Sequence, residues 1–216
     1  MALLGILVIA AFLRCYDLAL MPLSHDEVTW HLWSVNNFDK FLGIPVSCFH
    51  GYIQPAFSYL IVFSKHLFFS PEYIVRFPAA AIGLTTIIAT YSLGKRIFGE
   101  ATGLISAGLL CFLQWHVIQS RVGVSLILTP FFGCLIFLVL FNSVHKKSNK
   151  WFLWSCFLLG AALFYTYQAS LLFLPVFLCS VLWLKKELSW LRANDIMCSG
   201  IIYYCSFSFF IFIFYR

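Results

Sequence analysis

The stretch "YIQPAFSYLIVFSKHLFFS", residues 52–70, decides how the rest of the chain is laid out. It is apolar enough to cross a bilayer, yet Lys65 and His66 interrupt it and Pro55 suits a helix start. Whether it crosses sets the side of every later segment. Suppose that the N-terminus is cytoplasmic and that 52–70 does not cross. Then Lys95, Arg96, Lys146, Lys147, Lys150, Lys185, Lys186 and Arg192 all fall on the cytoplasmic side. These are eight of the fourteen Lys plus Arg, and they include every clustered pair, as the positive-inside rule requires. If the stretch crosses, the same eight face outward and the rule is inverted. The reading is therefore a helix lying in, or dipping into, the outer interface.

The flanking sequence makes a membrane protein unavoidable. Hydrophobic residues are 62% of the 216 and charged residues only 10%, against about half and a quarter in a soluble domain. Apolar runs near 77–93, 101–119, 124–141, 151–165, 168–184 and 196–215 follow a first run at 1–13. They are long and unbroken, whereas spanning strands would be short and alternating. The expectation is an all-α, polytopic, multi-pass inner or plasma membrane protein of about seven transmembrane helices. Residues 1–216 form a single transmembrane module, with a first outer loop over about 14–75. Residues 1–13 lack the basic start of a signal peptide and run directly into Arg14, which is one turn from Asp17 and able to pair with it. The net charge of +6 is scattered between apolar runs, which does not suggest nucleic acid. Six of the eight cysteines lie in or beside apolar runs and read as packing residues; Cys15 and Cys48 flank the loop and could pair in an oxidising compartment.

The loop holds Asp17, Asp26, Glu27, Asp39 and Glu72, five of the eight acids. Within it, Ser24-His25-Asp26-Glu27 has the form of a capping box: Ser24 caps a helix and Glu27 reaches back to the Ser24 amide. Trp30, Trp33 and Phe38 would then form the apolar stripe of a short interfacial helix. Capping explains Glu27 better than Asp26. A carboxylate at a membrane surface is costly without a task or a partner, so Asp26 is a candidate functional acid. Farther on, Ser70-Pro71-Glu72 reads as an N-cap with proline at the first helical position. Pro78 and Pro175 lie within apolar runs and are expected to kink them.

Five short motifs occur in order: "RCYDLALMPLSHDE", "GYIQPAFSYL", "RFPAAAIG", "LGKRIFGE" and "WHVIQSR". Together they resemble the membrane glycosyltransferases of the GT-C fold. The nearest type is that of the protein O-mannosyltransferases and aminoarabinose transferases, the dolichyl-phosphate-mannose-protein mannosyltransferase family. The resemblance implies a sugar donor carried on a polyprenyl phosphate and a first outer loop with two interfacial helices. The acceptor would be a protein, lipid or glycan. It implies that Asp26 acts as general base on the acceptor, with Glu27 as its companion. Arg76 would contact the donor phosphate, with Arg121 and His116 as further candidates. For these three the plain structural readings stay open: arginines that snorkel to headgroups, and a histidine that only packs. The chain departs from the family pattern at Gln54, where a donor-site lysine is usual, and at Ile53 and Ala56. His50 and Lys65 are the nearby cations that could replace that lysine. An acid often found after "SR" is replaced by Gly123-Val124-Ser125. Relatives of this type are about twice as long, so the chain reads as the N-terminal module.

The alternative function is a non-catalytic membrane scaffold or an inactive remnant of such an enzyme, favoured by the missing lysine. A transporter would place ionisable groups near the midplane of its spans, whereas here they gather at one surface. No set of metal ligands is evident; dependence on a divalent cation stays open, and no other cofactor is implied.

Overall fold

The computed structural model describes residues 1–29, 32, 34, 55–166 and 168–184. Gln54, His50, Cys48, Trp30, Trp33, Phe38 and the run 196–215 lie outside the described residues. Two compact units are present, Met1–Phe131 and Phe132–Arg216. Every regular element among the described residues is helical. The helices are α1 (Ala2–Cys15), α2 (described over 25–29), α3 (Pro55–Lys65), α4 (Pro71–Phe98), α5 (Glu100–Phe112), α6 (Gln114–Arg121), α7 (Leu128–Lys146), α8 (Asn149–Tyr165) and α9 (Phe173–Trp183).

Helix α4 is the backbone of the first unit. Ser70 is its extended N-cap, Pro71 opens it, Glu72 sits in its first turn and Lys95 and Arg96 in its last, the arrangement the helix dipole favours. Its 28 residues span about 42 Å, more than the ~30 Å of a bilayer's hydrocarbon. Pro78 lies inside it without ending it. The helix stops at Gly99, whose φ of 99° is open to glycine, and the chain turns directly into α5. The two helices then run in backbone contact: a Cβ on Gly103 would come within 2.7 Å of the Tyr91 carbonyl oxygen. Small residues at such crossings let backbones approach closely in a membrane. Ala10, Ile87, Ala107 and Cys111 form the core where α1, α4 and α5 meet.

Helix α3 has 11 residues, about 16 Å, too short to cross a bilayer. It buries Phe57, Ile61 and Val62 and packs on α4.

The run 101–119, expected as one helix, is instead two, α5 and α6, bent by 61° at Leu113. No glycine or proline stands at the break, so local propensity does not cause it; the contacts that hold it come from α1 and are described below. The Arg14–Asp17 pair is also corrected. Arg14 is turned into the bundle, fully buried, and its hydrogen bonds go to carbonyls and a histidine. Pro175 falls in the first turn of α9, where a missing N–H breaks no helical bond, and so it starts rather than kinks that helix.

The second unit is built from most of α7 with α8 and α9. Ile136, Leu140, Phe152, Cys156, Leu159, Ala162, Phe177 and Leu184 form its core. Lys147, with φ 47°, makes the turn between α7 and α8, and the Lys146 ammonium sits 4.6 Å from the Trp151 ring centroid. Two helices among the described residues, 71–98 and 125–146, are long and apolar enough to cross a membrane, or three if the bent α5–α6 pair is one span. Leu4, Val8, Phe12, Leu109 and Phe112 stand exposed on the first unit, as lipid-facing side chains do.

Candidate active site

Among the described residues, the start of the loop after α1 is fastened to the bundle chiefly through Glu27 and Arg76. The capping box forms as the sequence predicts: the Ser24 amide donates to Glu27 Oε2 at 2.9 Å, and the Glu27 amide reaches Ser24 Oγ at 3.4 Å. The same carboxylate has a second task that the local motif does not reveal. Arg76 Nε donates to Oε1 at 2.7 Å and Arg76 Nη2 to Oε2 at 2.9 Å, a bidentate pair from α4. The Gly123 amide, on the connection after α6, completes the set at 2.9 Å from Oε1. Glu27 is 1% exposed and joins three separate segments. Burial pushes its pKa up, but the hydrogen bonds from Arg76, Gly123 and Ser24 and the charge of Arg76 outweigh burial and hold it at about 2.

Arg76 is saturated by this arrangement. Besides its two bonds to Glu27, it donates to the carbonyls of Leu18 at 2.6 Å, Met21 at 2.8 Å and Pro22 at 3.0 Å. A guanidinium carries five N–H donors, and the five contacts of Arg76 use them all. Gly123 is where it is for steric reasons. A Cβ there would meet Val75 Cγ1 at 2.1 Å and the Val75 carbonyl oxygen at 2.8 Å, so only glycine lets this amide reach the carboxylate.

Asp26, next in the chain, is in the opposite situation. Its side chain is 81% exposed, and among the described residues it lies 3.7 Å from the still more exposed His25. The two adjacent acids therefore have separate conditions: Glu27 is locked into the fold and Asp26 is accessible.

Beside the Glu27–Arg76 pair lies a cavity of about 240 Å³, lined by Leu18, Met21, Arg76, Ile118, Arg121 and Val122, with Asp17 and Leu20 at its wall. Arg121 donates to the Leu13 carbonyl at 2.9 Å and the Asp17 carbonyl at 3.3 Å. Among the described residues these are its hydrogen bonds; with two of the five donors used, three remain. The fold thus brings Arg76 and Arg121 to one cavity from helices far apart in sequence. His116 is not brought there. It is 0% exposed and its Nδ1 lies 3.0 Å from Arg14 Nη2. Two residues of the site escaped the motif reading. The Gly123 amide carries no side-chain signal, and the partners of Arg14 lie on α5 and α6, about a hundred positions away. Among the described residues no group of three metal-ligating side chains converges.

A family model described as dolichyl-phosphate-mannose-protein mannosyltransferase matches residues 50–213. No curated protein and no solved structure matches the chain. The match takes in Arg76, His116, Arg121 and position 54 and begins after Asp26 and Glu27, so the acidic pair is tied to the matched segment by the contacts of Glu27 with Arg76 and Gly123.

Proposed function

Because the chain belongs to the dolichyl-phosphate-mannose-protein mannosyltransferase family of membrane glycosyltransferases, we propose that it moves a sugar from a polyprenyl-phosphate donor to an acceptor at the outer face of the inner or plasma membrane, as a GT-C-type enzyme. The observation that carries this reading is that Glu27, next in the chain to the accessible Asp26, is bonded to Arg76, which with Arg121 and Asp17 lines a largely apolar cavity. In the reaction the acceptor oxygen bonds to the anomeric carbon and its proton passes to the Asp26 carboxylate. The carbon–oxygen bond to the lipid phosphate breaks, and the phosphate leaves with the electron pair. Arg121, with donors to spare, is the cation that meets the developing phosphate charge. Arg76 lines the same cavity, but its donors are committed to Glu27 and the loop, so it acts here by fixing the loop and by its charge. The apolar walls formed by Leu18, Met21, Ile118 and Val122 suit the first units of a polyprenyl chain.

Glu27 is a positioning residue in this scheme: it holds the turn that carries Asp26. A polyprenyl-phosphate sugar is the substrate this arrangement calls for, with a protein, lipid or glycan hydroxyl as acceptor. The test is transfer of label from a radiolabelled polyprenyl-phosphate sugar in membranes containing the full gene product. Asp26→Asn is expected to abolish transfer while leaving the unfolding temperature unchanged, since Asp26 is exposed. Undiminished transfer by that variant removes Asp26 from the mechanism.

A further inference from the structure

The break between α5 and α6 frees backbone carbonyls inside an apolar bundle. In an unbroken helix the Leu110 and Cys111 carbonyls would accept from the amides four residues on. The bend at Leu113 removes those partners, and an unsatisfied carbonyl is costly in hydrocarbon. Arg14 supplies the replacement. Its Nη2 donates to the Leu110 carbonyl at 3.2 Å and its Nη1 to the Cys111 carbonyl at 3.3 Å. Nη2 also lies 3.0 Å from His116 Nδ1, on the other side of the break. A guanidinium only donates, so His116 accepts at Nδ1 and is a neutral imidazole with its proton on Nε2. Arg14 is 0% exposed. It is roofed by α4 at Gly83, where a Cβ would sit 2.5 Å from Ser120 Cβ and 3.4 Å from Arg14 Nε.

The geometry points to Arg14 and His116 as a clamp that makes the α5–α6 bend possible and thereby places Arg121 in the cavity. Arg14 grips the end of α5 and the start of α6 together. At the far end of the eight-residue α6, Arg121 returns to α1 through the Leu13 carbonyl, one residue from Arg14. Straightening the pair would swing α6, and Arg121 with it, away from the cavity wall formed by Leu18 and Met21. Arg14 and His116 are then positioning residues that act through Arg121, an assignment resting on the donor role proposed for that arginine.

The clamp is tested in detergent-solubilised full chain with two readouts. Farnesyl phosphate, a short polyprenyl monophosphate, reports donor-site affinity. Nitroxides at Ala101 and Trp115, one on each arm and both outside the cavity lining, report the bend in a background whose other reactive cysteines are Ser. Arg14→Met is expected to lengthen the distance and weaken farnesyl phosphate binding about tenfold, the size of losing one well-placed charged contact. In transfer assays its donor KM rises while kcat changes less. His116→Leu moves both readouts the same way by a smaller amount, and His116→Asn, whose amide oxygen accepts from Arg14, restores them. A folded Arg14→Met protein with wild-type distance and affinity overturns the clamp. If Arg14→Met does not fold, His116→Leu indistinguishable from wild type overturns it instead. A wild-type chain that binds no farnesyl phosphate, with a bend that still opens in Arg14→Met, refutes the donor reading and leaves the clamp standing.

Discussion

At the level of single residues, the adjacent acids show how environment divides labour. Asp26 and Glu27 are one peptide bond apart, yet one is open to solvent and the other receives hydrogen bonds from Arg76, Gly123 and Ser24. The Glu27 carboxyl is held at about 2, against an ordinary value of 4.5. A depressed pKa contributes stability that is complete above the ordinary value and is lost as pH falls through the depressed one. The wild-type protein is therefore expected to lose roughly 3 kcal/mol between about pH 4.5 and about pH 2 through this group. Glu27→Gln should lack that acid-dependent loss, which pH-resolved thermal unfolding of the two proteins will show. At neutral pH the same variant should be less stable by about 3–5 kcal/mol. It takes the bidentate carboxylate away from the buried charge of Arg76 and turns one carboxylate oxygen into an amide donor facing other donors. An unfolding temperature equal to wild type would mean that the pair does not hold the loop.

Among the elements, the decisive feature is the approach of backbones at glycines. The connection after α6 can lay its amide against Glu27 only because residue 123 has no side chain to strike Val75. Gly123→Ala is expected to destabilise the protein by about 1–3 kcal/mol, as overpacking does. It should also lower transfer more than a change in lipid-facing Leu109, since it displaces one donor from the carboxylate that carries the catalytic turn. Comparing unfolding temperature and transfer for the two variants checks this; equal effects would show that the close approach is incidental. The α5–α6 bend belongs to the same scale. Nothing within 100–121 breaks a helix at Leu113, so the sequence of that segment reads as one span. The bend exists because a residue from α1 takes over the freed carbonyls.

For the molecule as a whole, the charge distribution makes the sharpest prediction. With the proposed orientation, Lys95 and Lys147 lie in the cytoplasm and Asp26 outside. Cysteines introduced at positions 95 and 147 should be labelled by an impermeant thiol reagent only after the membrane is opened, and one at position 28 before. Labelling of 95 and 147 in sealed cells would place the acidic loop on the wrong side for a donor delivered to the outer leaflet.

Much of this was decided by the sequence alone, because it depends on composition and on short-range pattern. An apolar excess of this size admits only a membrane protein, and long unbroken runs admit only helices. The capping box at Ser24–Glu27 and the proline-led start of α4 are local, and each forms as its spacing predicts. Tertiary structure alone decided what lies between distant segments: that Glu27 takes Arg76 and a glycine amide as partners, that Arg14 turns inward to α5 and His116, and that Arg121 reaches the Arg76 cavity. The physical reason is that a buried polar group must find its partner wherever the packed chain presents one. Such partners lie 49 to 108 positions away here, far beyond the reach of any local pattern.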